Sequence, residues 1–157
     1  VVEPVVRADG PTSVELGRLE NSLGYRLRVA QLRIFGAFSE VASAHELTPS
    51  QFAVLLLIEA NPGIKQIELA EVLDLDRSSV LRLVDRCEAA KLVRRGSSKA
   101  DRRIAPPVLT ARGRALLEKL EPVVARKEAA ASGLTRAERS TLARLLKRIA
   151  TAPGDRT

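Results

Sequence analysis

At 157 residues the chain is sized for one domain or one compact subunit, and 45% hydrophobic residues exclude wholesale disorder. Aromatics make up only 3% while leucine, valine and alanine dominate, which favours helices over a β-sandwich, and the net charge of +7 points toward an anionic partner, most often nucleic acid. The single cysteine, Cys87, excludes an internal disulfide framework and fits a reducing cytoplasm, and no apolar run reaches the roughly 18 residues of a membrane span.

Residues 1–13 hold Pro4, Gly10 and Pro11, show no helical period, and read as an arm rather than a signal peptide. An apolar stripe then runs through Leu16, Leu19, Leu23, Leu27, Ala30, Ile34, Phe38 and Val41, predicting one long amphipathic helix. In so small a chain such a helix needs a second surface, for which another subunit is the natural candidate. Thr48, Pro49 and Gln51 mark the next helix start as a capping box, and Asn61-Pro62-Gly63 ends that helix. A short helix, KQIELAEVL, follows, and Asp74-Leu75-Asp76 connects it to RSSVLRLVDRCEAA. There Val80, Leu83, Val84 and Cys87 share one face, while Ser78, Ser79, Arg82, Asp85 and Arg86 share the other. KLVRR and IAPPVL read as two strands of a hairpin around GSSKADRR. Pro106 and Pro107 each remove a strand donor, which restricts the returning strand to an edge role. Thr110 caps a helix that Pro122 interrupts, and Thr135 with Glu138 opens the last one, carrying Leu142, Leu145, Leu146 and Ile149.

Two short helices joined by a tight connection and followed by a hairpin make a winged helix-turn-helix, giving a mainly α fold with a two-stranded β wing. The second helix is the right width for the major groove of DNA, and a hairpin beside it can place arginine in the minor groove. Charge placement agrees. From Arg77 to Arg103 there are nine basic and three acidic residues, so this stretch holds six of the seven net charges. A phosphate-binding face concentrates charge in this way.

From ELAEVL through RLVDRCE, LVRR, DRR and LT-x-x-G, with LTPSQF ahead of them, residues 47–117 resemble the MarR family of bacterial transcription regulators. The resemblance implies a cytoplasmic homodimer that reads a palindrome in double-stranded DNA. It divides the chain into an arm (1–13), an N-terminal dimerisation helix (14–46), a winged lobe (47–112), C-terminal dimerisation helices (113–150) and a tail (151–157). Arg102 would then enter the minor groove, Asp101 and Arg103 would hold the wing tip, and Asp85 would pair with a wing arginine. Arg103 is also a candidate DNA contact. Ser78, Ser79 and Arg82 are the candidates for the major groove. Arg86 is a candidate for phosphate, Arg94 and Arg95 are either strand-face charges or phosphate anchors, and Lys99 is a further candidate DNA contact. Lys91 departs from the family pattern, standing where glycine commonly ends the reading helix, and Lys65 stands where a capping serine or threonine is common.

The family resemblance also implies a small aromatic or anionic effector, such as an aromatic acid or its coenzyme A thioester, that releases a repressor from its operator. Tyr25, Arg26, Arg28 and Arg33 on the first long helix are the candidates to hold it. Two alternatives compete with this. One is a redox-responsive regulator acting through Cys87, although that residue falls on the apolar face of its helix. The other is a non-specific architectural protein using the same basic surface. An enzyme is not expected, because the sequence has no glycine-rich phosphate loop and its one histidine and one cysteine supply no triad. His45 stands alone, so neither a metal site nor a cofactor is expected.

Overall fold

The computed structural model describes residues 15–96 and 105–152. They fall into two units, one spanning Phe38–Val124 and the other combining the described parts of 1–37 and 125–157. The helices are α1 (Leu23–Ala42), α2 (Pro49–Ala60), α3 (Gln66–Leu73), α4 (Arg77–Ala89), α5 (Ala111–Ser132) and α6 (Arg136–Ala150), with strands β1 (Val93–Arg95) and β2 (Pro107–Leu109) between α4 and α5.

The apolar stripe at the start of the chain does not form one helix. Gly17 adopts φ +53°, Gly17–Asn21 form a 3-10 turn, and Ser22 is extended before α1 begins. The Ser22 hydroxyl accepts the Tyr25 N–H at 3.3 Å, so the helix starts at a serine within the stripe. Leu16 and Leu19 therefore lie outside α1.

The middle unit is built around Leu55, Leu69, Val80, Val84, Cys87 and Leu117, all buried. It is wider than the 47–112 lobe read from the sequence. Phe38 and Ala42 at the end of α1, and Leu117, Leu120 and Val124 along α5, belong to the same core. Phe38 and Phe52 meet with ring centroids 5.4 Å apart and planes tilted by 53°. The Thr48–Gln51 box forms in both directions, at 3.2 Å from Gln51 N–H to the Thr48 hydroxyl and 2.9 Å from Thr48 N–H to the Gln51 side chain. At α3 only half a box exists. Lys65 donates its N–H to Glu68 at 2.7 Å, and its ammonium has no lone pair to return.

The end of α4 shows what replacing glycine entails. The Leu92 N–H reaches the Cys87 carbonyl at 2.9 Å and the Lys91 N–H reaches Glu88 at 2.8 Å, which completes a Schellman motif. Its left-handed position belongs to Lys91, at φ +60°. A side chain there costs on the order of 1 kcal/mol. Burial of Leu92, which follows directly, helps hold the turn.

The wing begins at that turn. β1 and β2 pair antiparallel, with Val93 opposite Leu109, Arg94 opposite Val108 and Arg95 opposite Pro107. The Gly96 N–H adds a bond to the Pro106 carbonyl at 2.9 Å. Thr110 locks the far end: its hydroxyl donates to the Lys91 carbonyl at 2.7 Å and accepts the Gly113 N–H at 3.0 Å, tying the first turn of α5 to the end of α4.

Candidate nucleic-acid interface

Helix α4 buries Val80, Val84 and Cys87 and exposes Ser78, Arg82, Asp85 and Arg86. Alternation of this kind on a helix braced by α3 leaves one polar, cationic face. Its N-cap is Asp76, which accepts the Ser79 N–H at 2.9 Å. The two serines do not cap the helix themselves. Ser78 donates its hydroxyl to Asp76 at 2.5 Å and Ser79 does so at 2.6 Å. These bonds, with the Ser79 N–H, hold the Asp76 carboxyl well below the usual carboxylate range. Arg82 lies back over the same turn and donates to Ser78 at 3.1 Å and to Ser79 at 2.8 Å.

The two wing arginines of β1 have different environments. Arg94 is exposed. The Arg95 side chain is only 12% exposed and turns toward α4, where its Nε donates to Glu88 at 3.0 Å and its Nη2 pairs with Asp85. Burial alone would lower the Arg95 pKa, but the Glu88 hydrogen bond and the Asp85 charge outweigh it and hold the value above ordinary. Asp85 thus has an arginine of the wing as partner, but one from the strand base. Arg95 braces the hairpin against α4, which leaves Arg94 as the outward cation of the strand. Glu88 completes this brace and was not singled out in the sequence. Its seven-residue separation from Arg95 carries no periodic signal once the chain turns at Lys91. Lys99, Asp101, Arg102 and Arg103 lie outside the described residues.

Two of the residues considered for an effector meet backbone carbonyls. Arg26 donates its Nε to the Glu20 carbonyl at 2.7 Å, and Arg33 donates to the Ala131 carbonyl at 2.6 Å. Tyr25 is half-buried and Arg28 is exposed. Within the middle unit a cleft of about 480 Å³ is lined by His45, Leu92, Arg112, Leu116 and Lys119, among others, and by none of those four residues. Among the described residues no cluster of His, Cys, Asp or Glu could hold a metal, and no single helix is long and apolar enough to cross a membrane.

Cys87 is fully buried, and burial pushes its thiol pKa up to about 11. The reactive species is the thiolate, which this environment suppresses. Native protein at pH 8 is expected to react with a disulfide reagent at least about 100-fold more slowly than protein unfolded in guanidinium. Fast labelling of the native state would restore the redox alternative.

A helix pair whose second member carries a cationic outer face, with a hairpin braced against it, defines a winged helix-turn-helix regulator of transcription. Residues 45–104 match the family model of the MarR family. A Thauera aromatica protein described as a transcriptional regulatory protein for the hcr operon is 36% identical over 135 residues, covering 85% of this chain and 81% of that one. The chain belongs to the MarR family. Among solved structures, the repressor CouR bound to a 23-mer DNA duplex superposes with a TM-score of 0.79 at 38% identity, covering 88% of this chain and 99% of that one. CouR bound to p-coumaroyl-CoA gives 0.79 at 36% identity, over 90% of this chain and 100% of that one. Bordetella bronchiseptica BpsR, whose DNA binding is regulated by 6-hydroxynicotinic acid, gives 0.75 at 28%, over 85% and 96%.

Proposed function

We propose that the chain is a homodimeric repressor that grips a palindromic operator and is released by a small aromatic acid or its coenzyme A thioester. The observation that carries the DNA part is the braced cationic face itself. Arg82, Arg86 and Arg94 are exposed on α4 and β1, in the stretch that concentrates six of the seven net charges. The effector class is favoured by likeness to CouR and BpsR, which bind or respond to aromatic acyl or carboxylate compounds. Arg33 and Arg26 already meet backbone carbonyls, so an anionic effector held by them would have to share or displace those bonds.

Binding to the gene's own upstream region, titrated with salt, tests the reading. A steep decline in affinity with salt together with a palindromic preference is expected. Binding without sequence preference would point to the architectural alternative. Arg102→Ala is expected to weaken operator binding about tenfold or more with the dimer intact, the size of one lost groove arginine per subunit. Unchanged affinity would refute the wing assignment. A thermal-shift screen of phenolic acids and their thioesters tests the effector part, because a ligand that binds only the folded state raises its melting temperature.

A further inference from the structure

We infer that Asp76, Ser78 and Ser79 are positioning residues that hold the Arg82 guanidinium to read a guanine in the operator, and that neither serine donates a hydrogen bond to a base. This rests on the DNA-binding reading above and adds to it a specific base and a division of labour within α4.

The hydrogen-bond inventory carries the argument. A serine hydroxyl has one hydrogen to give. Ser78 gives its hydrogen to Asp76 Oδ1 and Ser79 gives its own to Asp76 Oδ2, at 2.5 and 2.6 Å. Both acceptors belong to an ionised carboxylate, the stronger kind of partner. With its hydrogen committed, each hydroxyl can only accept, and each accepts from Arg82, Ser78 from Nη1 and Ser79 from Nη2. The result is a relay of one carboxylate, two hydroxyls and one guanidinium, in which each bond polarises the next. A serine contact that donates to a base or phosphate would have to break a charge-assisted bond first.

Arg82 gains what the serines give up. It follows them by four and three residues, so all three share a face of α4. Two of its five N–H donors go to the hydroxyls, and three remain, Nε–H among them. Nε and the outer Nη hydrogen form a parallel pair, which matches the O6 and N7 acceptors on the major-groove edge of guanine. The long side chain is ordered before DNA arrives, so less freedom is lost on binding. The relay also gives the Asp76 charge a role on a face that meets phosphates, because it is spent on the cap and the hydroxyls.

The test begins by selecting an operator from random duplexes with the wild-type full chain. Failure to enrich any sequence would sink the DNA-binding reading itself. With an enriched palindrome in hand, each guanine is replaced in turn by 7-deazaguanine, which removes only the N7 acceptor. One position per half-site is expected to cost wild type about tenfold and to cost Arg82→Ala nothing further. The Ser78→Ala, Ser79→Ala double variant keeps the arginine. It is expected to lose most of the preference for that same guanine, with the slope of log affinity against log salt unchanged. Asp76→Asn retains a capping acceptor and weakens the same preference, which separates the relay from a folding defect. Two results would overturn the inference. One is a uniform loss for Arg82→Ala on every sequence with a shallower salt slope, the mark of a phosphate anchor. The other is full guanine preference in the serine double variant.

Discussion

Gly113→Ala is expected to destabilise the protein by more than about 3 kcal/mol, which for a chain of this size lowers the melting temperature by at least roughly 6 °C. A Cβ built at Gly113 would lie 2.1 Å from the Leu92 carbonyl oxygen, 3.0 Å from the Leu92 carbonyl carbon and 3.2 Å from Leu109 Cδ2. The first two atoms are backbone, so no rotamer change relieves the clash. Nor is that carbonyl free to retreat, because it accepts the Thr110 N–H at 3.0 Å and lies 3.1 Å from the Thr110 hydroxyl. The same hydroxyl caps Gly113. One methyl group would therefore have to part the first turn of α5 from the junction of α4 and the wing. The expected loss is a sizeable share of the 5–15 kcal/mol that holds an ordinary domain together. Gly24→Ala is the control. Gly24 sits exposed in the first turn of α1 with nothing within 4 Å of an added Cβ, and alanine there is expected to be neutral or to stabilise by up to about 1 kcal/mol. Thermal unfolding followed by circular dichroism distinguishes the two. A Gly113→Ala protein melting within 2 °C of wild type, on the order of 1 kcal/mol at most, would show that the junction can open at little cost.

Gly113 also shows where the sequence was legible and where it was not. As part of LT-x-x-G it could be noted only as a feature of resemblance, because its reason is a backbone approach from residue 92, twenty-one positions earlier. Signals that act within one turn were readable. The Thr48–Gln51 and Thr135–Glu138 boxes both formed, and the inward face of α4 is the one its spacing implies. The break at Ser22 was also written locally, in Gly17 and in a serine three residues before Tyr25. A continuous run of 3- and 4-residue spacings concealed it. Asp76 was missed for a similar reason. Asp74-Leu75-Asp76 reads as a connector, although an aspartate three residues before Ser79 has the spacing of an N-cap. The brace of Arg95 by Asp85 and Glu88 is different in kind. It depends on the angle at which β1 leaves the Lys91 turn, and no one-dimensional pattern encodes that angle.

Replacing Leu145 and Ile149 together by glutamate is expected to convert a dimer into a monomer at micromolar concentration and to reduce operator affinity by about 100-fold or more. Helix α6 is well begun. Thr135 and Glu138 close a capping box, and those bonds hold the Glu138 carboxyl below its ordinary pKa. Yet no residue of α6 is buried within the chain. Leu142, Leu145, Leu146 and Ile149 fall at i, i+3, i+4 and i+7 on one face and are 41, 42, 39 and 49% exposed. A helix of this length is marginal in water without a packed face, so an ordered α6 implies a covering surface. The Leu16, Leu19 and Leu23 side chains, exposed in the same unit, have the same need. A second copy supplies both surfaces symmetrically, and burying each large aliphatic group contributes about 1.5–3 kcal/mol. Glutamate at two of the four positions would put charge into that contact and remove the gain. The middle unit, whose buried core contains no α6 residue, should keep its fold. Operator binding falls because two linked lobes on a palindrome bind the second half-site at high effective concentration, and separated lobes do not. Arg144→Gln, on the opposite side of α6, should leave both the mass and the affinity unchanged. Sedimentation or light scattering gives the first readout and a DNA titration the second. A double variant that remains dimeric would place the subunit contact elsewhere, whereas a monomer with wild-type affinity would break the link between pairing and DNA binding.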